Sequence, residues 1–265
     1  MEWLFVVAAF VIGVPAAAWF AQERLIFFPQ PLTGAAPLPA RARPLELVVA
    51  DGTRLSGFFV PGPEHPAPVI LFFGGNAEEI SWTLADRRWP PAWSIAGLNY
   101  RGYGASEGQP GERELVADAL ALFDAIVARA DVDAHRVVVV GRSLGTAVAV
   151  EIAAQRPVAG AVLISPYDSL VAIGRMHYPW LPVALLLRHR FDAQTAAAKT
   201  RAPLLAIVGG ADRIIPPARS RALYDAWPGT KRWVEVPGAD HNDLGGTPPM
   251  WDAIGAFLRD LPAPR

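Results

Sequence analysis

The chain contains no cysteine, which excludes disulfides, thiolate zinc sites and a cysteine nucleophile. Basic and acidic residues nearly cancel, 24 against 25, so there is no large basic field of the kind nucleic acid requires. Charged residues are scarce at 18%, against 52% hydrophobic, a balance that argues against disorder. Neither a G-x-x-x-x-G-K-[ST] loop nor an H-E-x-x-H pair nor a dense His/Asp/Glu cluster occurs. No phosphate loop, metal or cofactor is therefore expected. The nine tryptophans are scattered and do not alternate with basic residues, so base stacking is not suggested. What remains, over 265 residues, is enough chain to bury a sizeable core as one α/β domain.

The apolar excess is partly local. Trp3 to Phe20 carries no charge, and a helix of about 18 residues spans roughly 27 Å, near the hydrocarbon thickness of a bilayer. Trp3 and Trp19 flank it as interfacial aromatics do, and Pro15 is tolerated in such helices. The segment is expected to be a single-pass membrane anchor over 1–21. A cleaved signal segment is the rival, since Ala16-Ala17-Ala18 offers a small-residue site, but the start holds Glu2 and no basic residue. A buried core helix is the third reading, opposed by the lack of a polar face. Arg24, Arg41 and Arg43 follow the span with no basic side chain before it, which leans toward a cytoplasmic C-terminal domain.

Residues 22–44 are Pro-rich and read as a linker, with Leu25-Ile26-Phe27-Phe28 too apolar to float free. The domain is expected over 45–265. Two alternating runs around Asp51-Gly52 predict a hairpin. Short all-apolar strands then alternate with helices: APVILFFGG, the helical AEEISWTLADRR, WSIAGLNY, the helical GERELVADALALFDAIVARA, RVVVVG, the helical SLGTAVAVEIAAQ and GAVLISP. An irregular apolar stretch over about 166–201 is followed by PLLAIVGG, a helix ARSRALYDAW, KRWVEVPG and a closing helix PPMWDAIGAFLRDL. Continuous apolar strands in βα alternation predict a mostly parallel central sheet covered by helices on both faces.

The strongest chemical signal is Gly141-Arg142-Ser143-Leu144-Gly145, a G-x-S-x-G directly between a strand and a helix. The turn places the Ser143 hydroxyl at the carboxyl edge of the sheet, beside a helix N-terminus that favours developing negative charge. A second match, Gly104 to Gly108 around Ser106, lacks that junction and reads as a loop. A serine hydroxyl needs a base, and the base an orienting carboxylate. Asp212, just past PLLAIVGG, and His241, just past KRWVEVPG, supply these in the order serine, acid, histidine. Asp240 and Asp243 are rival acids, but they stand too near His241 in sequence to reach its far ring nitrogen. His65, His135, His177 and His189 read as structural. Oxyanion donors are expected from the backbone N–H groups of Leu144 and Asn76, the latter in the loop Gly74-Gly75-Asn76-Ala77.

These stretches resemble the α/β-hydrolase superfamily over roughly 45–262, and within it the membrane-anchored serine hydrolases of the alpha/beta hydrolase domain-containing type. The similarity lies in Gln22-Glu23-Arg24-Leu25-Ile26-Phe27 after an apolar segment, in Phe73-Gly74-Gly75-Asn76-Ala77 and in Asn99-Tyr100-Arg101-Gly102-Tyr103-Gly104 with Ser106-Glu107-Gly108. It continues in the Ser143 motif, Asp212-Arg213-Ile214-Ile215-Pro216 and Gly238-Ala239-Asp240-His241-Asn242. Gly74 stands where the family usually has His, and Asn99 where it usually has Asp. The resemblance implies ester or thioester hydrolysis through an acyl-enzyme, with Ser143, Asp212 and His241 catalytic. A serine peptidase or amidase on the same residues is an alternative, as is a binding protein that has lost catalysis. The 166–201 insertion is read as a short cap. Its Tyr178 and Trp180, with Gly75, are expected at the substrate, which would be a small-molecule or lipid-like ester. Ordinary core packing is the competing reading of that apolar stretch.

Overall fold

The computed structural model describes residues 2–31 and 36–262, with the side chains of residues 2 and 4–12 outside the description. Alternation of apolar runs is realised as an eight-stranded sheet among the described residues: β1 (Arg43–Val48), β2 (Arg54–Val60), β3 (Ala67–Phe73), β4 (Ser94–Leu98), β5 (Val132–Arg142), β6 (Gly160–Ile164), β7 (Leu204–Gly209) and β8 (Lys231–Val236). Their spatial order is β1-β2-β4-β3-β5-β6-β7-β8. β1 and β2 form the expected hairpin, turned by Gly52 at φ +86°, and β2 joins β4 antiparallel. All remaining pairs are parallel.

β5 shows why its run of valines is continuous. Val137 and Val139 face one core and Val138 and Val140 the other, and all four are fully buried. A strand covered on both faces has no polar side to show. Helices α3 (Glu112–Val127), α4 (Leu144–Gln155), α7 (Ala193–Ala197) and α8 (Pro217–Ala226) cover the first face; the short α2 (Ser81–Leu84) and α9 (Pro248–Asp260) cover the second. The architecture is a mostly parallel sheet covered by helices on both faces, as expected.

Four expectations need correction. The N-terminal helix α1 runs unbroken over Glu2–Phe27, so the linker does not begin at residue 22. Among the described residues no helix is long and apolar enough to cross a membrane, and the single-pass anchor is not supported. The described second half of α1 does not continue the apolar run. It carries Gln22, Glu23 and Arg24 and docks on the domain through Gln22 (6% exposed) and Phe27 (fully buried). The apolar side chains 4–12 on which the anchor reading leaned lie outside the described residues.

The helix expected from AEEISWTLADRR shrinks to the single turn α2. The Glu78 and Glu79 carboxylates instead bind the loop around them: Glu78 accepts from the Gly75 N–H (2.7 Å) and Thr83 Oγ1 (2.6 Å), and Glu79 from Asn99 Nδ2 (2.8 Å). Asn99 in turn accepts from the Ile80 N–H (3.1 Å). Local side-chain bonds of this kind compete with helix formation. Conversely, the 166–201 stretch is more regular than expected. It forms α5 (Leu170–His177), α6 (Val183–Leu186) and α7, with Ser169 and Asp192 accepting from N–H groups of the first turns of α5 and α7.

Candidate active site

Ser143 sits between the end of β5 and the start of α4, with φ +50° and ψ −117°. That conformation costs an L-residue of order 1–3 kcal/mol and persists only where its surroundings enforce it. Here they do. The Ser143 N–H donates to the Ile164 carbonyl (2.9 Å), and its own carbonyl accepts from the Thr146 N–H (2.9 Å) and hydroxyl (2.7 Å). The two motif glycines are required by space. A Cβ on Gly141 would fall on the Gly145 carbonyl oxygen, and one on Gly145 on the Phe73 carbonyl oxygen.

Three parallel strands deliver three side chains to one edge. His241 Nε2 lies 3.0 Å from Ser143 Oγ, and His241 Nδ1 lies 2.7 Å from Asp212 Oδ2. All three residues are buried, at 8%, 6% and 3% exposure for Ser143, His241 and Asp212. The other Asp212 oxygen accepts from the N–H groups of Ile214 (3.0 Å) and Ile215 (2.7 Å), which aims the carboxylate at the ring. The rival acids are engaged elsewhere. Asp240 accepts from the His241 N–H (2.8 Å) and pairs with Arg213 (3.3 Å), contacts that hold its carboxyl below the ordinary range. Asp243 accepts from the Asp240 N–H (2.7 Å). Ser106 is buried in the loop after β4, bonding the Ser56 N–H (2.9 Å) and the Asn99 carbonyl (2.8 Å).

Leu144 opens α4, so its N–H is one of the donors a helix start leaves without an intrahelical acceptor. The loop of Asn76 is fixed on both sides. Gly75 donates to Glu78, and Ala77, held at φ +56°, donates to the Phe27 carbonyl (3.1 Å). Behind it the Tyr100 hydroxyl donates to the Gly74 carbonyl (2.9 Å); burial pushes that phenol well above its ordinary pKa and keeps it a donor.

Ser143 and Asn76 border two cavities of opposite character. One, of about 420 Å³, is walled by apolar side chains of α1, α5 and α6, and also meets Leu144, Tyr178 and Trp180. The other, of about 650 Å³, is polar and includes Gly75, Glu78, Trp82, Arg142, His241 and Asn242. The structure thus brings Ser143, His241, Asp212, Asn76, Leu144, Gly75, Tyr178 and Trp180 to one region. His177, read as structural, binds the Ile214 carbonyl through Nε2 (2.9 Å).

Two features escaped the sequence. One is the Arg142–Glu78 ion pair (3.0 Å), which joins the residue before the nucleophile to the loop before α2. The other is the contribution of α1 to the apolar cavity. Both join residues distant in sequence; the sign present was the polar run Gln22-Glu23-Arg24 set between apolar residues, which suits a docked helix end.

A family model described as serine aminopeptidase, S33, matches residues 64–185. An uncharacterized protein of Mycobacterium tuberculosis is similar at 40% identity over 263 residues, 96% of this chain and 93% of that protein. The alpha/beta hydrolase domain-containing protein WAV2 of Arabidopsis thaliana is 31% identical over 279 residues, 94% of this chain and 90% of its own. Among solved structures, an acetyl xylan esterase from Paenibacillus sp. R4 shares the fold, with a TM-score of 0.70 at 20% identity over 87% of each chain. The chain belongs to the alpha/beta-hydrolase superfamily.

Proposed function

We propose that the protein hydrolyses carboxylic esters or thioesters through an acyl-enzyme on Ser143. The observation that carries this reading is the continuous chain Ser143 Oγ–His241 Nε2 (3.0 Å) and His241 Nδ1–Asp212 Oδ2 (2.7 Å) at a serine held with positive φ. In this reading Ser143 Oγ attacks the carbonyl carbon as its proton passes to His241 Nε2. Asp212 holds the ring and stabilises the imidazolium. The Asn76 and Leu144 N–H groups receive the oxyanion, aided by the N-terminus of α4. The tetrahedral adduct collapses, the bond to the alkoxide or thiolate breaks, and the leaving atom takes the proton from His241. Water, deprotonated by the same imidazole, then attacks the acyl-enzyme and releases the acid and the free serine.

An amidase on the same residues is the second reading, favoured by the description of the matching family model. An aminopeptidase must hold an α-ammonium beside the scissile carbonyl. The apolar cavity at Ser143 has no carboxylate in its lining among the described residues, which supports the ester reading for an acyl group seated there, whereas Glu78 and Glu79 line the polar cleft that Ser143 also borders. Turnover of p-nitrophenyl esters against aminoacyl p-nitroanilides separates the two. The ester should be cleaved and Ser143→Ala should abolish that activity while the fold is retained. Turnover unchanged in Ser143→Ala contradicts the proposal.

A further inference from the structure

An acyl-enzyme site has two sides, and the proton route tells them apart. The leaving atom takes its proton from the histidine, so the leaving group lies on the histidine's side. His241 borders the polar cleft, with the Glu78–Arg142 pair. The acyl portion therefore points into the apolar cavity, whose volume of about 420 Å³ falls within the usual size of a small-molecule site.

The cap does not build that cavity alone. Ala18, Leu25 and Ile26 of α1 line it together with Leu170, Ile173 and Leu186. The α1 wall is held by a buried amide. Gln22 Nε2 donates to the Leu186 carbonyl (3.2 Å) and the Trp19 carbonyl (2.9 Å), and its Oε1 accepts from the Arg188 N–H (2.8 Å). Every polar atom of this amide is matched across the α1–α6 junction, so moving the helix would leave buried groups unpaired. The end of the same helix grips the oxyanion loop. The Phe27 carbonyl accepts from the Ala77 N–H and from the Tyr103 hydroxyl.

We propose that α1 is the specificity-determining wall of the active site: Ala18 and Ile26 bound the path of a hydrocarbon acyl chain, and Gln22 is the positioning residue that sets the wall's distance from the cap. The substrate class is an ester or thioester of an extended aliphatic acid with a polar leaving group. This rests on the reading of Ser143 as an acyl-accepting nucleophile.

Alkyl fluorophosphonates test it on the full chain. Ser143 Oγ attacks phosphorus, its proton passes to His241, the P–F bond breaks and fluoride leaves. The rate of labelling by a dodecyl probe is divided by that of an ethyl probe. The wild type should favour the long chain. Ala18→Trp fills the wall and should lower the ratio roughly tenfold, the effect of displacing about two methylenes from an apolar site. Gln22→Ala, which adds no bulk, should lower it in the same direction and serves if Ala18→Trp does not fold. A ratio unchanged in a folded variant overturns the proposal while leaving Ser143 as the nucleophile. Failure of both probes to label the wild type overturns the serine reading and this proposal with it.

Discussion

The Phe27 carbonyl accepts a hydrogen bond from the Ala77 N–H at 3.1 Å, joining the last residue of α1 to the residue that follows Asn76. The Phe27 ring is fully buried, edge-on to His189 (5.1 Å) and Phe191 (6.2 Å). A contact of the N-terminal helix is thereby also a support of the loop that carries the Asn76 N–H. Phe27→Ala should cost about 3–5 kcal/mol, the range for emptying a buried aromatic site. Urea unfolding checks this; a loss under about 1 kcal/mol would show that α1 is not packed there in solution.

The division of labour among the three acids near His241 is equally testable. Asp212 alone of them reaches the Nδ1 side, whereas the Asp240 and Asp243 side chains bind backbone N–H groups. Asp212→Asn should lower kcat on an activated ester by about 10³–10⁴-fold, because the amide stabilises the wrong histidine tautomer. Asp240→Asn should lower it far less. Comparable losses in the two variants would mean that the orienting carboxylate is misassigned.

Stability rests partly on a buried arginine. The Arg101 guanidinium binds both Asp118 oxygens at 2.8 Å and Asp51 through Nη1, and the Arg101 and Asp118 side chains are each 9% exposed. Arg101→Met would strand the Asp118 carboxylate in the interior, at a cost of about 3–5 kcal/mol. Asp118→Asn on the Arg101→Met background should recover part of the loss, since it removes the unpaired charge. Equal stability of the single and double variants would argue that the pair is not buried.

Several carboxylates set the acid limit. Arg88 holds Asp86, Arg156 holds Asp124 and Arg129 holds Asp131 below the ordinary value of 3.8. Each is depressed in the fold, so its contribution is complete above the unfolded value near 3.8 and is lost as pH falls through the lower folded value. Glu112 works the other way, its carboxyl raised by burial. Its folded value lies above its unfolded one, so it favours the fold at acid pH and that share is lost as pH rises. Asp51, bound by Arg101, and Asp240 are held low as well, and the balance of five against one predicts that Tm falls as pH drops below about 4. Arg129→Met should make that decline shallower by removing the Asp131 part. A Tm that holds constant down to about pH 2 would contradict the assignment.

The strands and the Ser143 elbow were legible because their signals are local. Val137 to Val140 must be apolar on both faces, and Gly141 and Gly145 leave room where a Cβ would strike backbone. The placement of Asp212 and His241 beside Ser143 was legible because each lies a few residues past a strand end, and parallel strands share one edge. What stayed hidden depends on partners far along the chain. Gln22 is 166 residues from Arg188, whose N–H it binds, and Glu78 is 64 from Arg142. No window around Gln22 could show that α1 folds onto the cap instead of ending in a linker. The turns of α5 and α7 were within reach, since Ser169 and Asp192 are ordinary N-cap residues, but the prolines and apolar bulk of that stretch masked them.

In the proposed reaction the Ser143 hydroxyl, activated by His241, is the nucleophile. Fluorophosphonate labelling of the full chain followed by peptide mass spectrometry tests it most directly, because the sequence offers a second G-x-S-x-G at Ser106. One adduct is expected, on Ser143, lost in Ser143→Ala and slowed in His241→Ala. An adduct on Ser106, or labelling that survives Ser143→Ala, would contradict it.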